Sequence, residues 1–186
     1  MSDLCAIAVD VIAIALTEGE RRVPALAGLP PELVAPGATF VTLERDGDLL
    51  GCVGALEARQ PLAVDVAEHA LAAAFDDPRL PALTRSDFPE MSVKVSVLSP
   101  SARMGAGSYD DVRSSVRPEI DGLTIEVGPR RATLLPSVWP KVRDADEFLG
   151  ALWSKAGLRP GSWPRGIVVS RYTTTEESDP GPRPAL

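Results

Sequence analysis

Residues 91–99 read Met-Ser-Val-Lys-Val-Ser-Val-Leu-Ser, and no other stretch restricts the fold as much. Met91, Val93, Val95 and Val97 fall on one side of an extended chain, and Ser92, Lys94 and Ser96 on the other. The alternation predicts a strand with one core face and one wet or lightly covered face. Such a strand favours antiparallel pairing, because parallel strands are buried on both faces and read as continuous apolar runs.

The remaining elements agree with an antiparallel sheet. Asp46-Gly47 separates two apolar stretches and suits a type I′ turn, so 39–56 reads as a hairpin. Leu123–Gly128 and Arg131–Leu135 flank a second turn at Gly128-Pro129-Arg130, and Gly166–Thr173 reads as a last strand. Helices are predicted between them. Leu4–Leu16 is apolar with Asp10 inside it, capped by Ser2, with Asp3 at the positive end of its dipole and Gly19 at its end. Leu62–Asp76 carries Val66, Ala67, Ala70, Leu71, Ala74 and Phe75 on one face. Ser108-x-x-Asp111 and Asp144-x-x-Glu147 are capping boxes before two further helices, the second closed by Gly157. The Pro-rich segment 24–37 reads as a surface loop. The class is α+β: antiparallel sheets with flanking helices. Residues 175–186 hold Pro180, Pro182 and Pro184 without an apolar pattern, and a disordered tail is expected there.

Charge and composition narrow the function classes. Nineteen Lys and Arg against 26 Asp and Glu give a formal charge of −7, which argues against binding nucleic acid or an anionic membrane surface. No apolar run reaches the ~20 residues of a membrane-crossing helix, and an acidic start does not suit a signal peptide. Two cysteines, Cys5 and Cys52, make no disulfide framework and point to a reducing, cytoplasmic setting. Cys5 and Cys52 are expected to remain unbridged. With His69 they are the only soft metal-ligand residues and lie far apart in sequence, too few for structural zinc; no acidic cluster suggests magnesium. No Gly-rich loop joins a strand to a helix, so neither a P-loop nor a dinucleotide fingerprint is present. Trp139, Trp153 and Trp163 follow apolar or Pro-rich patterns that suit core packing.

Several stretches carry a family resemblance. Leu50-Gly51-Cys52-Val53-Gly54 resembles the Leu-Arg-Gly-Cys-Ile-Gly signature of the AMME-syndrome chromosomal region family, also called AmmeMemoRadiSam system protein A. Ala73 to Leu83 (Ala-Ala-Phe-Asp-Asp-Pro-Arg-Leu-Pro-Ala-Leu), Val95–Ser99, Asp121–Leu123 and Arg131–Trp139 support it, followed by Phe148-Leu149 and Lys155–Leu158. The resemblance runs in order from Phe40 to Tyr172. It implies a two-lobed fold over residues 1–174 with a cleft between lobes of unequal size, and association with a Memo-like and a radical SAM protein. It does not imply a reaction. One departure is plain: Leu50 stands where the signature has Arg, and Leu cannot offer a guanidinium's fixed donors.

Cys52 is the sharpest candidate for chemistry. A thiolate is a nucleophile when a base or a cation activates it. Gly51 and Gly54 beside it leave room for a ligand or for another backbone; the plainer alternative is a small buried hydrophobe among packing glycines. His69 shares a helix face with Asp65 and Asp76, and with Asp65 at i−4 it is expected on the surface rather than in a dyad with Cys52. Arg131 or Lys94 are the candidate activating cations. Arg131, at a strand start, also suits an anionic substrate, whereas Arg130 suits a solvated turn. Glu57, at the end of the Cys52 strand, is a candidate acid or base at a cleft edge, its plainer reading a surface carboxylate. Two functions follow. One is an enzyme or enzyme subunit with an interlobe cleft around Cys52, acting on a small anionic or nucleotide-like substrate. The other is a non-catalytic adaptor for the Memo-like and radical SAM partners.

Overall fold

The apolar run after residue 3 forms helix α1 (Asp3–Glu18), which ends where Gly19 turns at a φ of +73°. The computed structural model describes residues 3–186, so Ser2, the expected cap, and the side chain of Asp3 lie outside the described residues. The Pro-rich segment is not wholly irregular. It holds a single helical turn, α2 (Pro31–Val34), and a short strand, β1 (Pro36–Gly37), which pairs with β4 (Gln60–Pro61). Between them lies the hairpin of β2 (Thr39–Arg45) and β3 (Asp48–Gly54). Its turn residues Asp46 and Gly47 both take positive φ, 53° and 88°, as a type I′ turn requires. Helix α3 (Leu62–Phe75) follows, then a 3₁₀ turn at Phe88–Glu90 and strand β5 (Ser92–Leu98).

The chain divides into two units, the first running to Leu98 and resuming at Thr175, the second spanning Ser99–Thr174. The first holds a four-stranded sheet in the order β10-β5-β2-β3, where β10 is Thr174–Asp179. Val41 and Leu43 of β2 and Val93 and Val95 of β5, with neighbouring Met91, are buried in one core with α1 and α3. Val97 is only partly buried against that core. Residues on the other face of β2 and β5, among them Thr42 and Lys94, are half-buried. Ser96 departs from the expected wet face: it is buried and donates a hydrogen bond to Glu176 Oε1 on β10 at 3.0 Å. Five alanines of α3 are buried. Small side chains let helix and sheet approach closely.

The second unit holds a four-stranded sheet in the order β6-β9-β7-β8, from β6 (Ala102–Arg103), β7 (Gly122–Val127), β8 (Arg130–Leu134) and β9 (Val168–Tyr172). All its pairings are antiparallel. Helices α4 (Tyr109–Ser115) and α5 (Ala145–Lys155) start at the expected caps: Ser108 Oγ accepts from Asp111 N–H at 3.1 Å, and Asp144 Oδ1 from Glu147 N–H at 2.9 Å. Leu123, Ile125, Phe148, Leu149, Leu152 and Trp153 are fully buried. A 3₁₀ segment, Pro136–Lys141, brings Trp139 onto Phe148, with ring centroids 4.0 Å apart, and Trp139 Nε1 donates to the carbonyl of Asp121.

The C-terminal segment differs from the disordered tail expected over 175–186. β10 forms the edge of the first sheet, and Arg183 donates through its backbone N–H to Pro89 O at 2.9 Å and through Nη1 to Phe88 O at 3.3 Å and to Met91 O. Its guanidinium also lies over the Phe88 ring. Main-chain groups and one arginine hold this segment, so no apolar period is needed to place it.

Candidate functional site

Cys52 sits on β3, an edge strand of the first sheet, directly opposite Thr42 on β2. Its backbone groups point away from β2: the N–H donates to Asp77 Oδ2 at 3.0 Å, and the carbonyl accepts from Arg79 Nη2 at 3.0 Å. Cys52 and Thr42 thus face each other as a non-hydrogen-bonded pair, the arrangement that brings opposite side chains closest. Thr42 Oγ1 donates to Cys52 Sγ at 3.3 Å. Lys94 lies opposite Thr42 on β5, so Cys52, Thr42 and Lys94 form one row across three strands, on the face away from Val41 and Val95. Cys52 and Lys94 are both half-buried, and Lys94 makes no hydrogen bond or ion pair with any described residue.

Asp77 and Arg79 occupy the place a further strand would take beside Cys52. Arg79 Nε and Nη2 donate to the two Asp77 oxygens at 2.8 and 2.6 Å. The Asp77 side chain is 3% exposed and the Arg79 side chain 60%. The Arg79 hydrogen bonds, then that from Cys52 N–H, hold the Asp77 carboxyl far below the ordinary carboxylate range, against the upward push of burial. The same pairing raises Arg79. This clasp was not singled out from the sequence. Its only signal was the Asp-Asp-Pro-Arg run inside the family resemblance.

The two glycines have a structural use. A Cβ on Gly51 would lie 1.9 Å from the carbonyl oxygen of Ala73, so Gly51 lets β3 touch the backbone of α3. A Cβ on Gly54 would lie 2.4 Å from the Phe40 ring and from Thr39 O. The space left by the two missing side chains is therefore filled by protein. Leu50 has no partner on β2, where the register shifts between Leu43 and Glu44, and packs partly buried against the core of the first unit.

The other candidates have partners of their own. His69 is half-buried, with its side chain 15% exposed, and not on the surface as expected. Its Nδ1 lies 3.1 Å from Asp65 Oδ2, and Asp65 is itself buried, accepting also from the backbone N–H and hydroxyl of Thr39 at 2.8 and 2.7 Å. Burial pushes Asp65 up, but the hydrogen bonds from His69 and Thr39 outweigh it and leave the group lowered. The i,i+4 spacing was legible; the burial was not, because Thr39 arrives from a different element. Glu57 lies in the loop beyond β3, paired with Arg59 at 2.5 Å. Arg131 pairs with Glu126 across β7 and β8 at 2.9 Å, within the second unit. Among the described residues Glu57 is not bonded to Cys52. Cys5 and Cys52 are not bridged by a disulfide, and Cys5 is buried with its Sγ 3.8 Å from Val93 O. No helix among the described residues is long and apolar enough to cross a membrane.

Known proteins share this arrangement of chain. Relatives include proteins of Methanothermobacter thermautotrophicus, 41% identical over 65% of this chain, and Thermococcus onnurineus, 34% identical over 87% of it. The matched part spans 64% of the first protein and 83% of the second. An uncharacterised protein of Pyrococcus horikoshii, PH0010, known from a crystal structure, superposes with a TM-score of 0.86 at 30% identity, covering 96% of this chain and 91% of that one. The sequence profile of AMMECR1 matches residues 5–176, and the chain belongs to the AMMECR1 family.

Proposed function

We propose that this chain is an enzyme, or a subunit of one, that binds a small anionic or nucleotide-like substrate at the Cys52 face of its first sheet, with the Cys52 sulfur as nucleophile. One observation carries the reading. The sulfur lies on a polar sheet face, hydrogen-bonded by Thr42, with Lys94 in the same cross-strand row and Arg79 on the Cys52 carbonyl. A buried structural cysteine would have apolar neighbours instead, as Cys5 does on the covered face. Nearby cations favour an anionic ligand. The setting is the reducing cytoplasm, which keeps both cysteines unbridged, and the pathway is the one shared with Memo-like and radical SAM proteins.

The test is a survey of metabolite binding to the purified protein, wild type against Cys52→Ala, with native alkylation of both cysteines followed by mass spectrometry. A metabolite retained by the wild type and lost in the variant, with Cys52 alkylated ahead of Cys5, supports the enzyme. Equal, slow alkylation of both thiols and no metabolite difference would favour the adaptor role instead.

A further inference from the structure

Arg79 is oriented more firmly than an exposed arginine ordinarily is. Two of its nitrogens, Nε and Nη2, are spent on the buried Asp77 carboxylate, and Nη2 also reaches the carbonyl of Cys52. The third, Nη1, donates to no described residue, and the side chain is 60% exposed. The adjacent carboxylate, Asp76, does not compete for it, being paired with Arg21 at 2.6 Å. A guanidinium held by one edge loses little freedom when its other edge binds, and its donor geometry suits oxygen anions. In a chain of net charge −7 an anion needs such a fixed local cation.

We propose that Arg79 is the anion-binding residue of the Cys52 site, receiving a phosphate or carboxylate head group on its Nη1 edge. The inference rests on the Cys52 reading and adds which residue recognises the substrate and by what chemistry. Asp77 is the positioning residue: it orients Arg79 and anchors the Cys52 N–H, so anion and sulfur are held against one backbone unit.

Two alkylating probes of similar size test this, iodoacetate and neutral iodoacetamide. With either, the Cys52 sulfur forms a bond to the methylene carbon and iodide leaves. The ratio of the two rates cancels the thiol's own reactivity and reports the preference for the anion. In the native protein that ratio at Cys52 should exceed its value in the urea-unfolded chain by about tenfold, the scale of one charge-assisted contact. Arg79→Gln should return it to the unfolded value, and Arg79→Lys should keep part of it. Inorganic phosphate or succinate should slow iodoacetate but not iodoacetamide, and the better competitor identifies the head group. This arm uses the wild type alone and holds even where Arg79→Gln does not fold. A ratio that ignores Arg79→Gln, or the absence of protection by either anion, overturns the role of Arg79. A native Cys52 that iodoacetamide itself cannot reach is a different failure: it removes the Cys52 reading and this inference with it.

Discussion

The two thiols lie on opposite faces of one sheet, and the contrast shows how a fold sorts identical groups. Cys5 projects from α1 into the covered face, is 1% exposed, and has its sulfur 3.8 Å from the carbonyl oxygen of Val93. Cys52 projects from the edge strand on the other face, half-buried, with a hydroxyl on its sulfur and an ion pair on its backbone. Free cysteine packs well in apolar surroundings and is inert there; a cationic, partly exposed setting favours its chemistry. The alternation of β2 and β5, rather than anything near either cysteine in sequence, decides which face is which.

The contrast breaks most completely if the covered face is opened. Val95 is fully buried, so Val95→Asp places an unpaired charge in the core of the first unit. A loss of about 4 kcal/mol or more is expected, read as a large fall in melting temperature, and Cys5 should then alkylate as readily as Cys52. An unchanged melting temperature would contradict the assigned core face.

A smaller disturbance sharpens the role of the glycine beside Cys52. Gly51→Ala sets a methyl against the Ala73 carbonyl and forces β3 from α3. Overpacking of this kind costs about 1–3 kcal/mol. Gly105→Ala, where an added Cβ meets no atom within 4 Å, is the control and should be near neutral. Chemical denaturation of both variants would check this; equal stabilities would mean that Gly51 is not held by contact with α3.

The smallest effect is a pH dependence confined to the Cys52 edge. Asp77 is lowered in the folded protein by Arg79 and by the Cys52 N–H. At acid pH the unfolded chain therefore binds more protons, and stability rises with pH. The contribution is fully present above the unfolded value of about 4 and is lost as pH falls below it toward the depressed folded value. Thermal melts from pH 7 to pH 2 should show the wild type's advantage over Asp77→Asn narrowing below about pH 4. A constant difference across that range would show that the Asp77 charge does not support the fold.

The parts of the fold legible in the sequence are those that local chemistry dictates. Period-two alternation marked β5, two positive-φ residues marked the hairpin turn, and side-chain caps marked α4 and α5. Each depends on groups within a few residues of one another. Strand β10 was not legible: Thr-Thr-Glu-Glu-Ser-Asp carries no apolar pattern, and it is held by pairing at a sheet edge.

At the site the division is the same. Sequence by itself determined that Cys52 follows a tight hairpin and sits between glycines, and its likeness to a family signature marked the stretch. It also put Asp65 and His69 one helical turn apart. Only the tertiary structure decided that the glycines receive Ala73 and Phe40, that Asp65 is buried against Thr39, and that Asp77 and Arg79 meet the Cys52 backbone. The physical reason is sequence distance. The Cys52 N–H finds its acceptor 25 residues away, and the Thr39 N–H finds its own 26 residues away. A backbone donor left without a local partner must be satisfied somewhere in the fold, but which carboxylate reaches it depends on how helix α3 packs against the sheet.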